Sequence, residues 1–214
     1  MTSSVSSPIP AVRGTASARR GHILDAAETC FARNGFHPTT MQDIAREARM
    51  SPGNIYRYLA SKEAVVVALA ERDRERGRAL IAELEKERDP RGVFEGVIAR
   101  FFLETSRDVA ILRVDLWSES TRNPTIAALK RRQEAERREW MIEIFTKLAT
   151  SPLCDPAALC ETISPLLKGM IVNRAISPNY DPAPSVRLLL DIVDAGLAGQ
   201  LKAGKACKGR TINE

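Results

Sequence analysis

Residues 34–64 read NGFHPTTMQDIAREARMSPGNIYRYLASKEA, and this stretch contains two helix starts in quick succession. Thr40 is suited to an N-cap, and Asp43 puts a negative charge where a helix N-terminus favours one. Met41, Ile44, Ala45 and Ala48 then form the inward stripe of a helix predicted over 41–48, too short to hold without neighbours. Ser51 caps a second short helix, predicted over 52–58, with Pro52 at its first position, where a missing N–H is tolerated. Two short helices joined by a tight turn, the second one capped, fit a helix-turn-helix.

The second helix has the composition of a groove reader. Gly53 lets backbone approach a duplex, while Asn54, Tyr56, Arg57 and Tyr58 supply donors, acceptors and flat faces for phosphates, base edges and thymine methyls. Ile55 and Leu59 point inward. Lys62 opens the next helix, where its charge opposes the dipole and a phosphate close by would steady it.

Outward from this stretch the chain reads as helix after helix. One precedes it over 18–34, with Ile23, Ala26, Ala27, Cys30 and Phe31 on one stripe and Gly35 as the stop. Others are expected over 62–86, 91–105, 109–121, 124–149, 156–176 and 185–201, broken by Asp89-Pro90, Asn123-Pro124, Ser151-Pro152 and a Pro-rich loop at 177–184. The fold class is all-α, nine helices without a strand. Residues 1–17 read as a disordered basic arm, 18–64 as the helix-turn-helix domain, 65–202 as a second helical domain and 203–214 as a flexible tail. Arg13, Arg19 and Arg20 equip the arm either to follow a DNA backbone or simply to stay solvated.

Composition narrows the function classes. The 214 residues are 44% hydrophobic and 28% charged, with only 5% aromatic, as suits a helical globular protein. A net charge of +5 suits a polyanionic partner. No apolar run approaches the roughly 18 residues that span a bilayer, so no membrane association is expected, and no secretory leader is legible. Cys30, Cys154, Cys160 and Cys207 have no zinc spacing and read as reduced thiols in a cytoplasm, the pair 154/160 being an alternative thiol sensor. The two histidines, His22 and His37, lack a nucleophile partner. With no phosphate-binding glycine loop and no metal cluster, the chain reads as neither an enzyme nor a cofactor protein.

The segment 19–66 resembles the DNA-binding domain of TetR-family regulators. It carries Gly35-Phe36, Thr40 with Asp43-Ile44-Ala45, Ser51-Pro52-Gly53-Asn54-Ile55-Tyr56, and Ser61-Lys62-Glu63. The resemblance implies a ligand-responsive repressor that binds a palindromic double-stranded operator as a homodimer and is released by a small-molecule effector. It implies backbone contacts from Thr40, Tyr56, Tyr58 and Lys62, and groove contacts from Ser51, Pro52, Asn54 and Arg57. Thr40 also reads as a cap and Tyr56 as partly packing. The chain departs from the family at the inter-helix turn, where Arg49-Met50 replaces Gly-Val. Glycine relieves a strained backbone there, so Arg49 either alters the turn or tolerates it and adds a phosphate contact. Leu59 stands where phenylalanine is common.

The last two helices carry stripes of Leu159, Ile163, Leu166 and Met170, and of Leu189, Val193 and Leu197, with Gly196 permitting close approach. These serve either a four-helix interface between two copies, as the resemblance implies, or one monomer's core. The resemblance also implies an effector pocket among the middle helices. Phe101, Phe102, Trp117, Trp140 and Met141 would line it, with Arg113 and Asn173 as polar contacts. The long helix from Lys62 links the domains and would transmit the switch.

Overall fold

The computed structural model describes residues 16–201, so the expected tail and all but the last two residues of the arm lie outside the described residues. Among the described residues there are nine α-helices and no strand: α1 (Ala16–Asn34), α2 (Met41–Glu47), α3 (Pro52–Tyr56), α4 (Lys62–Glu87), α5 (Pro90–Ile98), α6 (Arg107–Glu119), α7 (Pro124–Leu148), α8 (Pro156–Ile176) and α9 (Ala183–Leu197). Ala16 and Ser17, read as arm, already belong to α1.

The helix starts follow from local chemistry. Ser51, Asp89, Asn123 and Asp155 each cap a helix through a side-chain oxygen and are each followed by proline at the first helical position. There the missing N–H is one of the unpaired donors of a helix N-terminus, and the fixed φ suits the first turn. Two stops use a left-handed glycine. Gly35 ends α1 at φ 82°, its N–H bonding the Phe31 carbonyl at 2.8 Å. Gly199, at φ 67°, follows α9.

The chain forms two compact units, one through Leu69 and the other from Ala70 onward, with α4 contributing to both. The first packs α1, α2, α3 and the start of α4 around Ile23, Ala27, Phe31, Ile44, Ile55, Val65 and Val66, all essentially inaccessible to water.

The second unit has its core where α5, α7, α8 and α9 meet. Phe94 and Phe145 pack edge to face with centroids 5.4 Å apart, surrounded by Ile98, Ile144, Cys160, Leu167 and Val186. A smaller cluster joins Ala110 of α6 to Ile171 and Ala175 of α8. Arg91 bridges from α5 to Asp194 of α9.

Several expectations are corrected here. Of the two roles open to the stripes, the chain's own core accounts for most of them: Leu159, Ile163, Met170, Leu189, Val193, Gly196 and Leu197 are all buried within the chain, and all but Gly196 belong to its main hydrophobic cluster. A Cβ on Gly196 would sit 2.6 Å from Leu159 Cδ1, so the close helix approach read from this glycine is α9 on α8 within the chain. Leu166 is the exception, 43% exposed. The helix expected over 91–105 is interrupted. Residues Ala99–Leu103 form a π-helical turn, closed by the Glu104 N–H on the Ala99 carbonyl at 3.1 Å. The Thr105 hydroxyl then donates to the Phe101 carbonyl at 2.6 Å.

Candidate functional site

The helix-turn-helix is held together by hydrogen bonds that do not depend on a partner. At its entrance, Thr40 and Asp43 form a reciprocal capping box. The Asp43 N–H donates to Thr40 Oγ1 at 3.2 Å, and the Thr40 N–H donates to Asp43 Oδ2 at 2.9 Å. The Thr40 hydroxyl also donates to that carboxylate at 2.6 Å, which with the backbone bond holds Asp43 below the usual aspartate range. Thr40 is therefore a cap, and its hydroxyl proton is already committed.

Between α2 and α3 the chain turns on Arg49, the one non-glycine residue with positive φ, 51°, among the described residues. The Met50 N–H bonds the Ala45 carbonyl at 2.9 Å and the Arg49 N–H bonds the Arg46 carbonyl at 3.1 Å. This paired pattern around a left-handed residue is the Schellman stop, which usually employs glycine. Arginine thus occupies a conformation that favours glycine, and its side chain lies exposed. His22 of α1 secures the same turn, with Nε2 2.9 Å from the Ala48 carbonyl.

Beyond the turn, Ser51 Oγ accepts the Asn54 N–H at 3.3 Å and opens α3. Ile55 and Leu59 are buried, which directs the other side of this segment outward. Ser51, Pro52, Gly53 and Arg57 are exposed, Asn54 and Tyr58 half-buried, and Tyr56 is 46% exposed. α3 ends at Tyr56, two residues earlier than expected, with Arg57 as its C-cap. The Arg57 guanidinium lies 5.9 Å from the Tyr58 ring, and Arg19 reaches the Tyr58 hydroxyl at 3.4 Å. Three groups that suit a phosphodiester chain are thereby gathered at one end of α3.

Lys62 departs from expectation. Its ammonium donates to three carbonyls of the loop after α1, those of Phe36 at 2.9 Å, His37 at 3.0 Å and Thr39 at 3.1 Å. It also sits 4.4 Å from the Phe36 ring centroid. All three protons of the ammonium are satisfied, so the loop carbonyls offset the unfavourable position at a helix N-terminus. Thr39, buried beside it, donates to the Gly35 carbonyl at 2.8 Å. Thr39 and His22 are structural members of the site that sequence reading passed over. Their partners lie elsewhere in the chain, and only the Thr39-Thr40 doublet offered a hint.

The first unit thus carries a helix-turn-helix whose two short helices are both capped by side chains. A family model described as "Bacterial regulatory proteins, tetR family" matches residues 23–69, and a "Tetracyclin repressor-like, C-terminal domain" matches residues 89–196. The chain belongs to the TetR family. It is a DNA-binding transcriptional regulator, and its relatives are regulators, not enzymes. The family's members act as dimers and respond to small molecules. Among similar proteins is the transcriptional regulator UidR of Escherichia coli, 27% identical over 180 residues, 84% of this chain and 80% of that one. The repressor KstR2 of Mycobacterium tuberculosis is 42% identical over 55 residues, 26% of this chain and 28% of its own. Salmonella enterica GusR has the same fold, with a TM-score of 0.67 at 24% identity, covering 86% of this chain and 95% of that chain.

The residues expected around an effector are divided by the structure. Phe101, Phe102, Arg113, Trp117 and Trp140 are half-buried in the second unit. Phe102 packs against both hydrophobic clusters and Trp117 against the smaller one. Met141 is instead sealed in the main core, 2% exposed. Asn173 is exposed, on the same outer stripe of α8 as Leu166 and Gly169, because the inner face of that helix is taken by Met170 and Ile171. Neither of these two is placed to line an interior site.

Proposed function

We propose that this regulator is a ligand-responsive repressor, a cytoplasmic homodimer that reads a palindromic operator and is released by a small-molecule effector. The observation that carries the reading is the division of labour in α3. Buried Ile55 and Leu59 fix the segment while Ser51, Pro52, Gly53, Tyr56 and Arg57 stay open on the other side. Arg57 is the residue best equipped for base readout, since a guanidinium at the end of a recognition helix can bond a guanine edge bidentately. Asn54 and Tyr58 complete the surface. Arg49 adds a phosphate contact from the turn.

A palindromic site calls for a two-fold protein. Since the expected stripes, Leu166 apart, fill the monomer's own core, the pairing face is assigned to the outer sides of α8 and α9. There Leu166, Ile176 and Leu188 are 43%, 66% and 62% exposed, and a Cβ on Gly169 would meet open space. An effector that binds better to the form with misplaced recognition helices empties the operator by population shift.

The test is a mobility-shift titration at fixed salt, using DNA upstream of the protein's own gene, with Arg57→Ala in parallel. Specific binding that the substitution weakens by about 1–3 kcal/mol supports an operator reader. Equal, weak and salt-sensitive binding by both proteins across genomic fragments would refute it.

A further inference from the structure

In the second unit, two cations stand in protein surroundings without a close carboxylate. Arg113 of α6 lies with its guanidinium 5.5 Å from the Phe101 ring centroid, and among the described residues it forms no hydrogen bond or ion pair within 4.0 Å. Lys130 of α7 has one hydrogen-bond partner, a neutral one: its ammonium donates to Gln133 Oε1 at 3.0 Å. The Gln133 amide nitrogen in turn donates to the Ala70 carbonyl at 3.2 Å, which fixes its oxygen toward the lysine. Burial pushes the pKa of both cations down.

The charges around them leave a positive excess. Asp73 of α4 is the acidic group that acts on Arg113, and it is exposed to solvent, which screens it. Lys130 feels Asp73 and Glu134 against the repulsion of Arg113 and Arg137. Glu134 is itself held by Lys168 at 2.8 Å and by Arg137. Two half-buried cations therefore share one screened carboxylate.

The neighbouring stretch of α4 is open to solvent. From Glu71 to Lys86 no residue of α4 is buried, although the stretch includes Leu80, Ile81 and Leu84. Gly77 stands one turn beyond Asp73, and a Cβ there would come 3.5 Å from Phe101 Cζ. Trp117 stands one turn beyond Arg113 on α6 and is half-buried.

Building on the reading of this unit as the effector-binding part, we propose that the effector is a small organic anion. Arg113 and Lys130 hold its charged group, and Phe101 and Trp117 flank its apolar body. A carboxylate, sulfonate or phosphate would complete donors that the protein leaves unmet, and the planar fork of arginine suits such oxygens bidentately.

Two fluorescent probes with the same aromatic body separate charge from apolarity: 8-anilinonaphthalene-1-sulfonate and uncharged N-phenyl-1-naphthylamine. Each is titrated into the full-length protein, wild type and variants, with circular dichroism reporting the fold. The sulfonate is expected to bind at least tenfold more tightly than its neutral counterpart. Arg113→Met and Lys130→Met should each weaken the sulfonate at least tenfold and leave the neutral probe unchanged, while Arg113→Lys keeps most of the preference. If a methionine variant does not fold, the other carries the same comparison. Equal affinity for the two probes, or sulfonate binding indifferent to both substitutions, overturns the anion assignment and leaves an effector site in place. Binding of neither probe overturns both the assignment and the effector site it rests on.

Discussion

Replacing Arg49 by glycine should make this protein more stable and weaken its hold on DNA. At φ 51° a residue with a Cβ sits in the left-handed region, at a cost of about 1–2 kcal/mol that glycine does not incur. Glycine in turn loses about 0.5–1 kcal/mol more conformational freedom on folding. The difference leaves a gain of about 0.5–1 kcal/mol for Arg49→Gly, or about 1–4 °C in Tm for a chain of this size. The exposed guanidinium has no role in the stop itself, whose two hydrogen bonds are backbone ones at 2.9 and 3.1 Å. Arg49→Ala is the necessary companion, because it removes the charge and keeps the strain. Urea midpoints followed by circular dichroism should rank Gly above Ala and Arg, with those two close together. Operator binding by fluorescence anisotropy should show Gly and Ala equally weakened, each with a shallower salt dependence by about one phosphate contact per protomer. The chain also contains the reverse case: Gly199, at φ 67°, ends α9 with the same pair of bonds, Gln200 to Ala195 at 2.8 Å and Gly199 to Gly196 at 2.9 Å. A Cβ there would meet Leu153 Cβ at 2.6 Å, so Gly199→Ala should cost the left-handed strain plus about 1–3 kcal/mol of overpacking. If Arg49→Gly is no more stable than Arg49→Ala, the strain argument is wrong.

The same geometry sets three further expectations. Asp43 is held below the usual aspartate range by the Thr40 hydroxyl and backbone N–H. Its folded form therefore binds a proton less readily than its unfolded form, and its contribution is complete above the ordinary value and lost as pH falls through the lowered one. Melting curves should accordingly show a gap between wild type and Asp43→Asn that is full at about pH 6 and narrows toward about pH 3; a gap constant with pH would count against the capping box. Gly196→Ala drives a methyl into Leu159, 2.6 Å away, and should lower stability by about 1–3 kcal/mol in a urea titration. Leu188→Glu alters a side chain 62% exposed in the chain. It should shift light-scattering mass from dimer to monomer while circular dichroism is unchanged, and an unaltered dimer would remove α9's outer face from the interface.

What the sequence disclosed and what it hid divide by the range of the interactions. Thr40 with Asp43, and Ser51 with Pro52, act within one helical turn, so the residues alone announce where α2 and α3 begin. The strain at Arg49 is equally local: a Schellman stop needs a left-handed residue, whatever that residue is, and the departure from glycine was visible before any coordinates. The hydrogen bonds of Lys62 were hidden because its partners lie 23–26 positions away, where no spacing rule reaches. The stripes of α8 and α9 show a different limit. A period of apolar residues establishes that a face is buried, but it does not say in which molecule. α8 carries leucine at both 166 and 167, and one helical step separates an exposed side chain from one in the core. Leu167 joins the cluster that holds Phe94, Phe145 and Val186, partners that the helical period of α8 does not name. The π turn at Ala99–Leu103 left no pattern of its own, since its residues continue the apolar run of α5. It contains Phe101, the ring against which Arg113 lies. The departure from regular helix thus coincides with the place where Arg113 and Lys130 are proposed to meet an anion, as irregular helix often does at functional sites.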